Sequence, residues 1–363
     1  MAKREEELTK NINNLLKKML NKDCVDAILV PQKQPFGEGV VQSLVADENK
    51  LDSAQPLAFV MPVNSGTLIS DLTKVTPSKK RIAAVVKSCE IRALIELVKL
   101  KQASLDNIVI IGVDCPGTYS VIEYSEMMEE GKSPMTEFPK NIKKINEDEN
   151  LRTACKVCEY PIPENTDIII GIYGSDGKTP IIMAKSEEGK DILEILGVAS
   201  QEESEERKEY ISGLEKRRLE KWTKLIEDTQ KNVSGIENLL KFFDSCINCH
   251  NCMDVCPVCY CRECFFDSPT FEYESGKYLS WADRKGVIKI PKDTLLFHLT
   301  RMNHMATSCV GCGMCEQACP SKIELLRIYK TVGHNAQKVF DYVPGRSLDE
   351  DLPLLTFRED ELE

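Results

Sequence analysis

The segment CINCHNCMDVCP, residues 246–257, holds four cysteines with the spacing C-x2-C-x2-C-x3-C and ends in proline. The segment SCVGCGMCEQACP, residues 308–320, repeats this spacing and again ends in Cys-Pro. In this spacing three thiolates wrap around one 4Fe–4S cubane, and the fourth cysteine ligates a second cluster. The two copies therefore predict a unit that holds two iron–sulfur clusters.

The fourth cysteine of each copy crosses to the other cluster, so the motifs predict two mixed ligand sets. One set is Cys246, Cys249, Cys252 and Cys319, and the other is Cys256, Cys309, Cys312 and Cys315. Residues 257–308 are longer than a minimal ferredoxin requires between its motifs, and we interpret them as an insertion. We predict a C-terminal two-cluster ferredoxin-like (α+β) domain over residues 246–330.

Three further cysteines lie in that insertion, and their spacing does not match a cubane loop: Cys259, Cys261 and Cys264. Small thiolate clusters hold zinc, so these residues could bind an extra metal with a histidine or another thiolate. Buried free thiols behave as small hydrophobic side chains, and this alternative fits equally well. Cys24 has no cysteine neighbour and is predicted to be a core thiol.

The bulk composition limits the class of protein. The chain has 363 residues, a length that argues for two or three compact units. Its net charge of -11 argues against nucleic-acid or anionic-membrane partners. A zinc-binding nucleic-acid module is the least favoured function. No apolar stretch is long enough to span a bilayer, and the amino terminus is too charged for a signal peptide. We expect a cytoplasmic protein whose sixteen cysteines bind metal rather than form disulfides.

Apolar runs alternate with helical patterns over residues 25–200, which predicts an α/β domain with a buried sheet. The predicted strands are VDAILVP, LAFVMPV, RIAAVVK, NIVIIGVD, DIIIGIYG and PIIMAK, and EIRALIELVKL is a predicted helix. Residues 1–24 are predicted to form an amphipathic helix, and residues 201–245 a charged, solvated helical connector. Residues 331–363 form a tail that is predicted to dock on a partner, with a disordered end as the alternative.

Four scattered cysteines of the α/β domain could share one site. Cys89 and Cys115 each follow an apolar strand, and loops at the carboxyl ends of adjacent parallel strands converge. The pair Cys155 and Cys158 would complete a four-thiolate site if it reached the same edge. The alternative treats the first two as core residues and the C-x-x-C pair as a zinc or redox element.

The loop in GIYGSDGKTPIIMA, residues 171–184, is rich in turn-forming residues. Its backbone amides could approach a phosphate or the edge of a flavin, but a hairpin turn fits Ser-Asp-Gly-Lys just as well. The chain contains neither a dinucleotide-binding G-x-G-x-x-G after a strand nor a phosphate-binding G-x-x-x-x-G-K-[ST] motif.

The order of these motifs resembles the beta subunit family of coenzyme F420-reducing hydrogenases and formate dehydrogenases. The resemblance rests on K-x-C-E-I-R-A, I-G-V-D-C, the C-x-x-C pair and D-I-x-x-G-x-x-G-S-D-G-x-T. The segments CPVCYCREC and FDYVPGRSLDE are similar to the formate dehydrogenase beta branch. The resemblance extends over nearly the whole chain from about residue 25.

The resemblance implies an α/β domain that binds FAD beside a 4Fe–4S cluster ligated by Cys89, Cys115, Cys155 and Cys158. It places Lys87, Ser88 and Arg92 near the flavin, together with the loop Gly174, Ser175, Asp176, Gly177, Lys178 and Thr179. It also implies hydride exchange between coenzyme F420, a deazaflavin, and FAD, with single electrons relayed through 4Fe–4S clusters. No catalytic side chain is predicted, because a flavin converts between hydride and one-electron chemistry.

No molybdenum- or nickel-binding motif is visible, so a partner subunit is expected to supply the catalytic site. The expected partner is a catalytic alpha subunit of the molybdenum or tungsten formate dehydrogenase, hydrogenase or heterodisulfide reductase type. Two alternatives stay open: the same relay with NAD(P)H or ferredoxin in place of F420, and a flavin-free ferredoxin-type adaptor.

Overall fold

The computed structural model describes residues 5–36, 39–132, 134, 146–261, 263–291 and 293–355. The amino-terminal half contains six strands, which are β1 (Ala27–Lys33), β2 (Val40–Val45), β3 (Ile82–Lys87), β4 (Ile108–Val113), β5 (Ile168–Gly171) and β6 (Ile181–Ala184). Its helices are α1 (Glu5–Asn21), α2 (Ser65–Thr73), α3 (Ser88–Lys99), α4 (Val121–Glu129), α5 (Thr153–Lys156) and α6 (Glu187–Leu196). A 3-10 helix covers Glu48–Ser53.

The six strands form one mixed sheet in the order β2-β1-β3-β4-β5-β6. Strands β1, β3, β4 and β5 are parallel, and β2 and β6 are antiparallel edge strands. Every residue of β3 and β4 is buried, as expected for strands covered on both faces. Helices α2 and α3 pack on one face, and α1 and α6 pack on the other. The predicted α/β domain with a buried sheet is confirmed.

Five of the six predicted strands are present, but LAFVMPV, residues 57–63, is a loop. Its hydrophobic side chains are buried although the segment joins no sheet: Tyr119 donates its amide to the Phe59 carbonyl at 2.8 Å, an isolated contact. Strand β2 was not predicted, because this half-exposed edge strand mixes Gln42 and Ser43 with valines. The apolar run in residues 57–63 therefore indicated burial correctly but did not indicate a strand.

A long helix, α7 (Glu205–Val233), connects the two halves of the chain and is not the solvated connector that its charge pattern predicts. Arg207 is fully buried and forms a bidentate ion pair with Asp114 at the end of β4. Trp222 is also buried, against α5 and the carboxyl-terminal half. One face of α7 is therefore part of the core, and only the opposite face is solvated.

The carboxyl-terminal half consists of helices and loops: α8 (Ile236–Phe242), α9 (Asn251–Asp254), α10 (Ser275–Lys285), α11 (Thr294–Met305), α12 (Met314–Gln317) and α13 (Leu325–Val339). Two 3-10 turns cover Phe265–Asp267 and Pro269–Phe271. No strand occurs among the described residues of 246–330, so the α+β expectation for this domain is wrong. The segments around the cysteine motifs instead bury an apolar helical face, including Phe297 of α11 and Tyr329 of α13.

The described part of the tail packs on its own chain. The hydroxyl of Tyr342 and the amide of Gly345 donate to Glu96 of α3, at 2.5 and 2.8 Å. Arg92 Nε donates to the Pro344 carbonyl at 2.8 Å. Residues 342–346 are therefore an internal clamp on α3 rather than an open docking segment, and residues 356–363 lie outside the described residues.

No helix in the described ranges combines the length and the hydrophobicity that crossing a bilayer requires.

Candidate metal centre

All sixteen cysteines are free thiols, so every predicted thiol ligand is available for metal binding. Twelve of them fall into three sets, which we name by position. The outer set is Cys246, Cys249, Cys252 and Cys319. The middle set is Cys256, Cys309, Cys312 and Cys315. The sheet-edge set is Cys89, Cys115, Cys155 and Cys158.

The outer set lines a single cavity between the start of the first motif and the end of the second. Burial raises the pKa of Cys252 to about 11, opposed by the charge of Arg301 and assisted by the charges of Cys246, Cys319 and Cys249. These electrostatic interactions show that Cys319, distant in sequence, lies beside the first motif.

The middle set forms around Cys256, which crosses over from the first motif. Burial raises the pKa values of Cys309 and Cys312 to about 11 and about 12, and in both the next cause is the charge of Cys256. The pKa of Cys315 is raised well above its usual value by the same two causes. The structure thus brings together both crossed sets that the motif spacing predicts.

Equivalent backbone turns in the two motifs explain how their thiols converge. Asn248 and Gly311, each two residues after the first cysteine, have φ of 51° and 70°. His250 and Gly313, each four residues after it, have φ of 59° and 72° and begin the short helices α9 and α12. Residues with a left-handed backbone conformation turn the chain sharply, so the first three cysteines of each motif face the same side.

The sheet-edge set gathers at the carboxyl ends of β3 and β4. Cys89 lies in the first turn of α3, Cys115 follows β4, and the C-x-x-C pair arrives on α5 and the residue after its cap. Burial raises the pKa of Cys115 to about 12, and Cys155 and Cys158 contribute as neighbouring charges. The pKa of Cys89 is raised well above its usual value by burial and by the charges of Glu90, Cys115, Cys312 and Cys158.

Cys155 differs from the other buried thiols because its pKa is lowered. Burial alone would raise the pKa, but the Arg152 charge and hydrogen bonds with Thr118 outweigh it. The Thr118 amide donates to Cys155 Sγ at 3.3 Å, and its hydroxyl lies at the same distance. Cys155 is therefore already prepared to act as a thiolate ligand.

Three cations face the sheet-edge set. The ammonium of Lys87 acts on Cys115, and the guanidinium of Arg218 acts on Cys158, Cys115 and Cys155. Arg152 acts on Cys155, Cys89 and Cys312. Lys87 and Arg218 are almost fully buried, and none of the three forms an ion pair with a carboxylate within the described ranges. Buried cations require anionic partners, so this environment fits four thiolates around a 4Fe–4S cluster.

The middle set neighbours both other sets. Cys312 interacts electrostatically with Cys89 of the sheet-edge set. On the opposite side, Arg301 donates to Cys252 Sγ of the outer set at 3.1 Å, and its charge also acts on Cys256 and Cys315. The three sets therefore follow one another as sheet edge, middle and outer.

Cys259, Cys261 and Cys264 do not form a compact metal site. Over the described ranges, no three His, Cys, Asp or Glu side chains are placed to hold a single metal ion. Cys264 Sγ lies 3.4 Å from Met253 Sδ, Cys259 is half-buried, and Cys261 is exposed. The partial burial of Cys259 and Cys264 fits packed thiols, and the exposure of Cys261 does not. The absence of a single-ion site does not bear on cubanes, because each thiolate of a cubane binds a different iron.

The residues predicted to lie near a flavin are dispersed. Lys87 and Ser88 are buried at the carboxyl edge of β3, beside the sheet-edge set. Arg92 lies one turn further along α3, where its guanidinium stacks 3.9 Å from the Tyr160 ring centroid and donates to Pro344 and Val310 carbonyls. Those contacts oppose a flavin-binding role for Arg92.

The loop Gly174–Thr179 lies against α1 and the start of α7. Asp176 accepts the amides of Lys178 and Thr179 at 2.8 and 2.7 Å, and Ser175 Oγ accepts the Gly177 amide at 3.3 Å. Gly174 has φ of 78°, and a Cβ there would lie 3.1 Å from Arg207 Cβ. The loop uses these amides internally, which supports the turn interpretation over a phosphate cradle.

Sequence reasoning missed Thr118, Arg152, Arg218, His298 and Arg301. His298 is buried, stacks on Phe243 at 3.9 Å and places Nε2 3.3 Å from Cys246 Sγ. These residues belong to no recognisable motif. Only Arg152 carries a sequence signal, since it stands three residues before the C-x-x-C pair. Cys24 is buried, as predicted, and burial raises its pKa.

Two family profiles match the chain. Residues 79–210 match the family described as the C terminus of the beta subunit of coenzyme F420 hydrogenase/dehydrogenase. Residues 242–323 match the 4Fe-4S dicluster domain. The two matches cover the sheet-edge set and both crossed sets, respectively.

Curated relatives match over nearly the full chain. The F420-dependent formate dehydrogenase subunit beta of Methanocaldococcus jannaschii is 28% identical over 376 residues, covering 95% of this chain and 93% of that protein. The F420-dependent formate dehydrogenase 1 subunit beta of Methanococcus maripaludis is 29% identical, with coverages of 94% and 91%. A chain of the F420-reducing NiFe hydrogenase complex from Methanosarcina barkeri aligns with a TM-score of 0.48 and 13% identity, over 65% of this chain and 90% of that one.

Proposed function

Because this chain belongs to the coenzyme F420 hydrogenase/dehydrogenase beta subunit family, we propose that it exchanges hydride between coenzyme F420 and FAD within a larger complex. It is an oxidoreductase subunit with a 4Fe–4S dicluster domain. The proposed chemistry is the relay of single electrons between the bound flavin and a catalytic partner subunit.

The adjacency of the three thiol sets is the observation that carries this proposal. A domain that only bound zinc would not need Cys312 beside Cys89, since structural zinc sites are closed and independent. Electron transfer does require neighbouring centres. The proposed ligands are the outer and middle sets for the two clusters of the dicluster domain, and the sheet-edge set for a third.

Burial and fixed charge are what the protein contributes to these centres. Cys256 and Cys315 are buried and Cys309 and Cys312 are partly buried, so the protein limits the access of water to the middle set. Lys87, Arg152 and Arg218 offset the negative charge that four thiolates bring to the sheet edge. When bound, 4Fe–4S clusters supply one-electron transfer at potentials that such charges and hydrogen bonds tune.

We place the flavin at the carboxyl edge of the sheet, beside Lys87, Ser88 and the start of α2. The Nδ2 group of Asn64 is buried there without a hydrogen-bond partner in the described part of the chain, as expected of a side chain that meets a ligand. Met61 Sδ, in the same segment, lies 3.9 Å from Cys89 Sγ. FAD bound there would supply the conversion between hydride and single electrons.

The decisive experiment is anaerobic purification of the full chain, followed by iron, sulfide and flavin analysis and stopped-flow reduction. We expect about twelve irons per chain, as three cubanes contain, and one FAD that reduced F420 reduces. Zinc in place of iron would overturn the cluster proposal. Full iron without flavin would favour the ferredoxin-type adaptor.

The hydride carrier is tested in the same apparatus. Reduction of bound FAD by reduced F420 but not by NADH supports the proposal, and the reverse result favours the nicotinamide alternative. Reduction of the bound FAD by reduced ferredoxin, but by neither F420 nor NADH, would favour the alternative in which ferredoxin replaces F420.

The partner is tested by affinity purification from native extract under nitrogen. We expect a molybdenum or tungsten formate dehydrogenase subunit, because the two full-length relatives are named as formate dehydrogenase subunits. A nickel or heterodisulfide reductase subunit would contradict this.

A further inference from the structure

Two arginines, Arg301 and Arg152, lie at the two junctions between successive thiol sets. Arg301 belongs to α11, and Arg152 immediately precedes α5. Neither forms an ion pair with a carboxylate within the ranges that the structure describes, although Arg301 is buried and Arg152 is partly buried. A buried guanidinium without a carboxylate needs another source of negative charge.

Arg301 joins the outer and middle sets. Its Nη1 donates to Cys252 Sγ at 3.1 Å and to the Tyr329 hydroxyl at 3.1 Å, and its Nη2 donates to the Cys252 carbonyl at 2.9 Å. Only 3% of its surface is exposed. Its charge also acts on Cys256 and Cys315 of the middle set. The side chain thus contacts one set and faces the other.

Arg152 has the corresponding position between the middle and sheet-edge sets. Its Nη2 lies 3.8 Å from Cys155 Sγ, and its Nε donates to Thr118 Oγ1 at 2.9 Å. Its Nη1 reaches Gln317 of the dicluster domain at 3.4 Å. Its charge acts on Cys89 and on Cys312, so it also faces two sets at once.

We infer that Arg301 and Arg152 are positioning residues that raise the reduction potentials of the two clusters flanking each of them. This inference rests on the proposed function, because it requires clusters in all three sets. Reduction adds one negative charge to a cluster, and a fixed positive charge nearby in a low-dielectric interior favours that reduced form. A cation between two clusters also attracts both of them when both are reduced, which offsets the repulsion between them.

The arrangement makes a specific prediction about which potentials change. Arg301→Gln removes the charge between the outer and middle sets, so those two potentials fall while the sheet-edge potential stays. Arg152→Gln lowers the middle and sheet-edge potentials and leaves the outer one. The sheet-edge shift is the larger, because Arg152 lies against Cys155 of that set. Only the middle cluster responds to both variants.

The test is an EPR-monitored redox titration of the full chain, with signals assigned by cysteine variants of each set. We expect at least a tenfold change in the one-electron equilibrium of the middle cluster in Arg301→Gln, which is about 59 mV. Tyr329→Phe is the matched control: it removes an acceptor of Arg301 but keeps the charge, so its potentials stay near those of the wild type. Equal shifts of all three clusters, or none, in variants with full iron would overturn the inference.

If Arg301→Gln loses iron, a second variant, Arg301→Lys, separates a role of the charge from a role in packing, because lysine keeps the charge. Full iron and wild-type potentials in the lysine variant, with iron lost in the glutamine variant, support the role of charge. Iron lost from both variants shows a packing role and overturns the inference. A wild-type chain without clusters is a different outcome, since it contradicts the proposed function itself.

Discussion

At the scale of single residues, particular thiols have particular charged or hydrogen-bonding side chains beside them. Cys252 accepts a hydrogen bond from Arg301, and Cys155 accepts one from the Thr118 amide. Hydrogen bonds to cluster sulfurs are among the levers that set a cluster's potential. In the proposed clusters, the cysteines would bind the iron, and the surrounding side chains would set how readily it is reduced.

Cys312 lies closest to the junction between the dicluster domain and the sheet edge, and we predict that Cys312→Ala removes one cubane. Iron should fall by about four atoms per chain, since one of four thiolates is missing from the middle set. Cys24→Ala is the control, because Cys24 is a buried thiol that belongs to no set. Iron analysis after anaerobic reconstitution measures the difference. Equal iron in both variants would refute the assignment of Cys312 as a ligand of the middle set.

Gly345 is required by the close approach of the tail to α3. It has φ of 73°, and a Cβ would lie 2.4 Å from Arg92 Cα. We expect Gly345→Ala to destabilise the fold by more than about 1 kcal/mol, because both the backbone conformation and the space are unsuitable. Gly286→Ala is matched, since Gly286 has φ of 74° but no atom within 4 Å. Thermal unfolding should show the larger loss at Gly345, and equal losses would mean that only φ matters.

At the scale of elements, α7 connects the two halves by burying one face. Its amino-terminal end is held by the Arg207–Asp114 pair, which sits at the carboxyl end of β4 just before Cys115. Its middle contributes Arg218 to the sheet-edge set and Trp222 to a small core with Ala154 and Leu326. The helix is thus both a connector and part of the site.

Trp222 offers the test of this role. Its ring is 1% exposed, and Lys330 Nζ of α13 lies 4.1 Å from its centroid. We predict that Trp222→Ala costs about 3–5 kcal/mol of stability, because a large buried side chain leaves a cavity. Leu219→Ala, on the same helix but 49% exposed, should cost less than about 0.5 kcal/mol. Urea unfolding measures the loss of unfolding free energy in both variants. Similar losses would contradict the conclusion that one face of α7 belongs to the core.

At the scale of the whole molecule, polar contacts join the sheet domain to the dicluster domain near the cluster junction. Gln317 Nε2 donates to the Met61 carbonyl at 3.0 Å, and Lys330 Nζ donates to the Val157 carbonyl at 2.8 Å. Arg92 Nη1 donates to the Val310 carbonyl at 3.3 Å. These contacts hold the middle and sheet-edge sets at a defined separation, which electron transfer requires.

Removal of iron should affect the two halves differently. The sheet core consists of aliphatic residues such as Val85 and Ile111, whereas the dicluster core includes Cys252, Cys256 and Cys315 themselves. We expect chelation to increase hydrogen exchange across residues 246–330 far more than in β3 and β4, since metal binding is part of the folding free energy there. Mass spectrometry of the holo and chelated chains measures this. Uniform loss of protection would show that the sheet also depends on iron.

The sequence by itself predicted the two crossed cysteine sets, the α/β domain with its buried sheet and the family resemblance. It could do so because cluster ligation and strand burial are local patterns: fixed spacing in one case, continuous apolar runs in the other. The same reasoning placed LAFVMPV in a strand and α7 in solvent, because hydrophobicity and charge report burial without reporting what a segment packs against.

Only the tertiary structure decided the order of the three thiol sets, the buried arginines between them and the clamp of the tail on α3. Arg301 and Cys252 are 49 residues apart, and Tyr342 and Glu96 are 246 apart. No spacing rule links such positions, since their proximity results from the packing of whole helices. Local spacing along the chain predicts the ligands of the two crossed sets, but the electrostatic environment of those thiols exists only after the chain has folded.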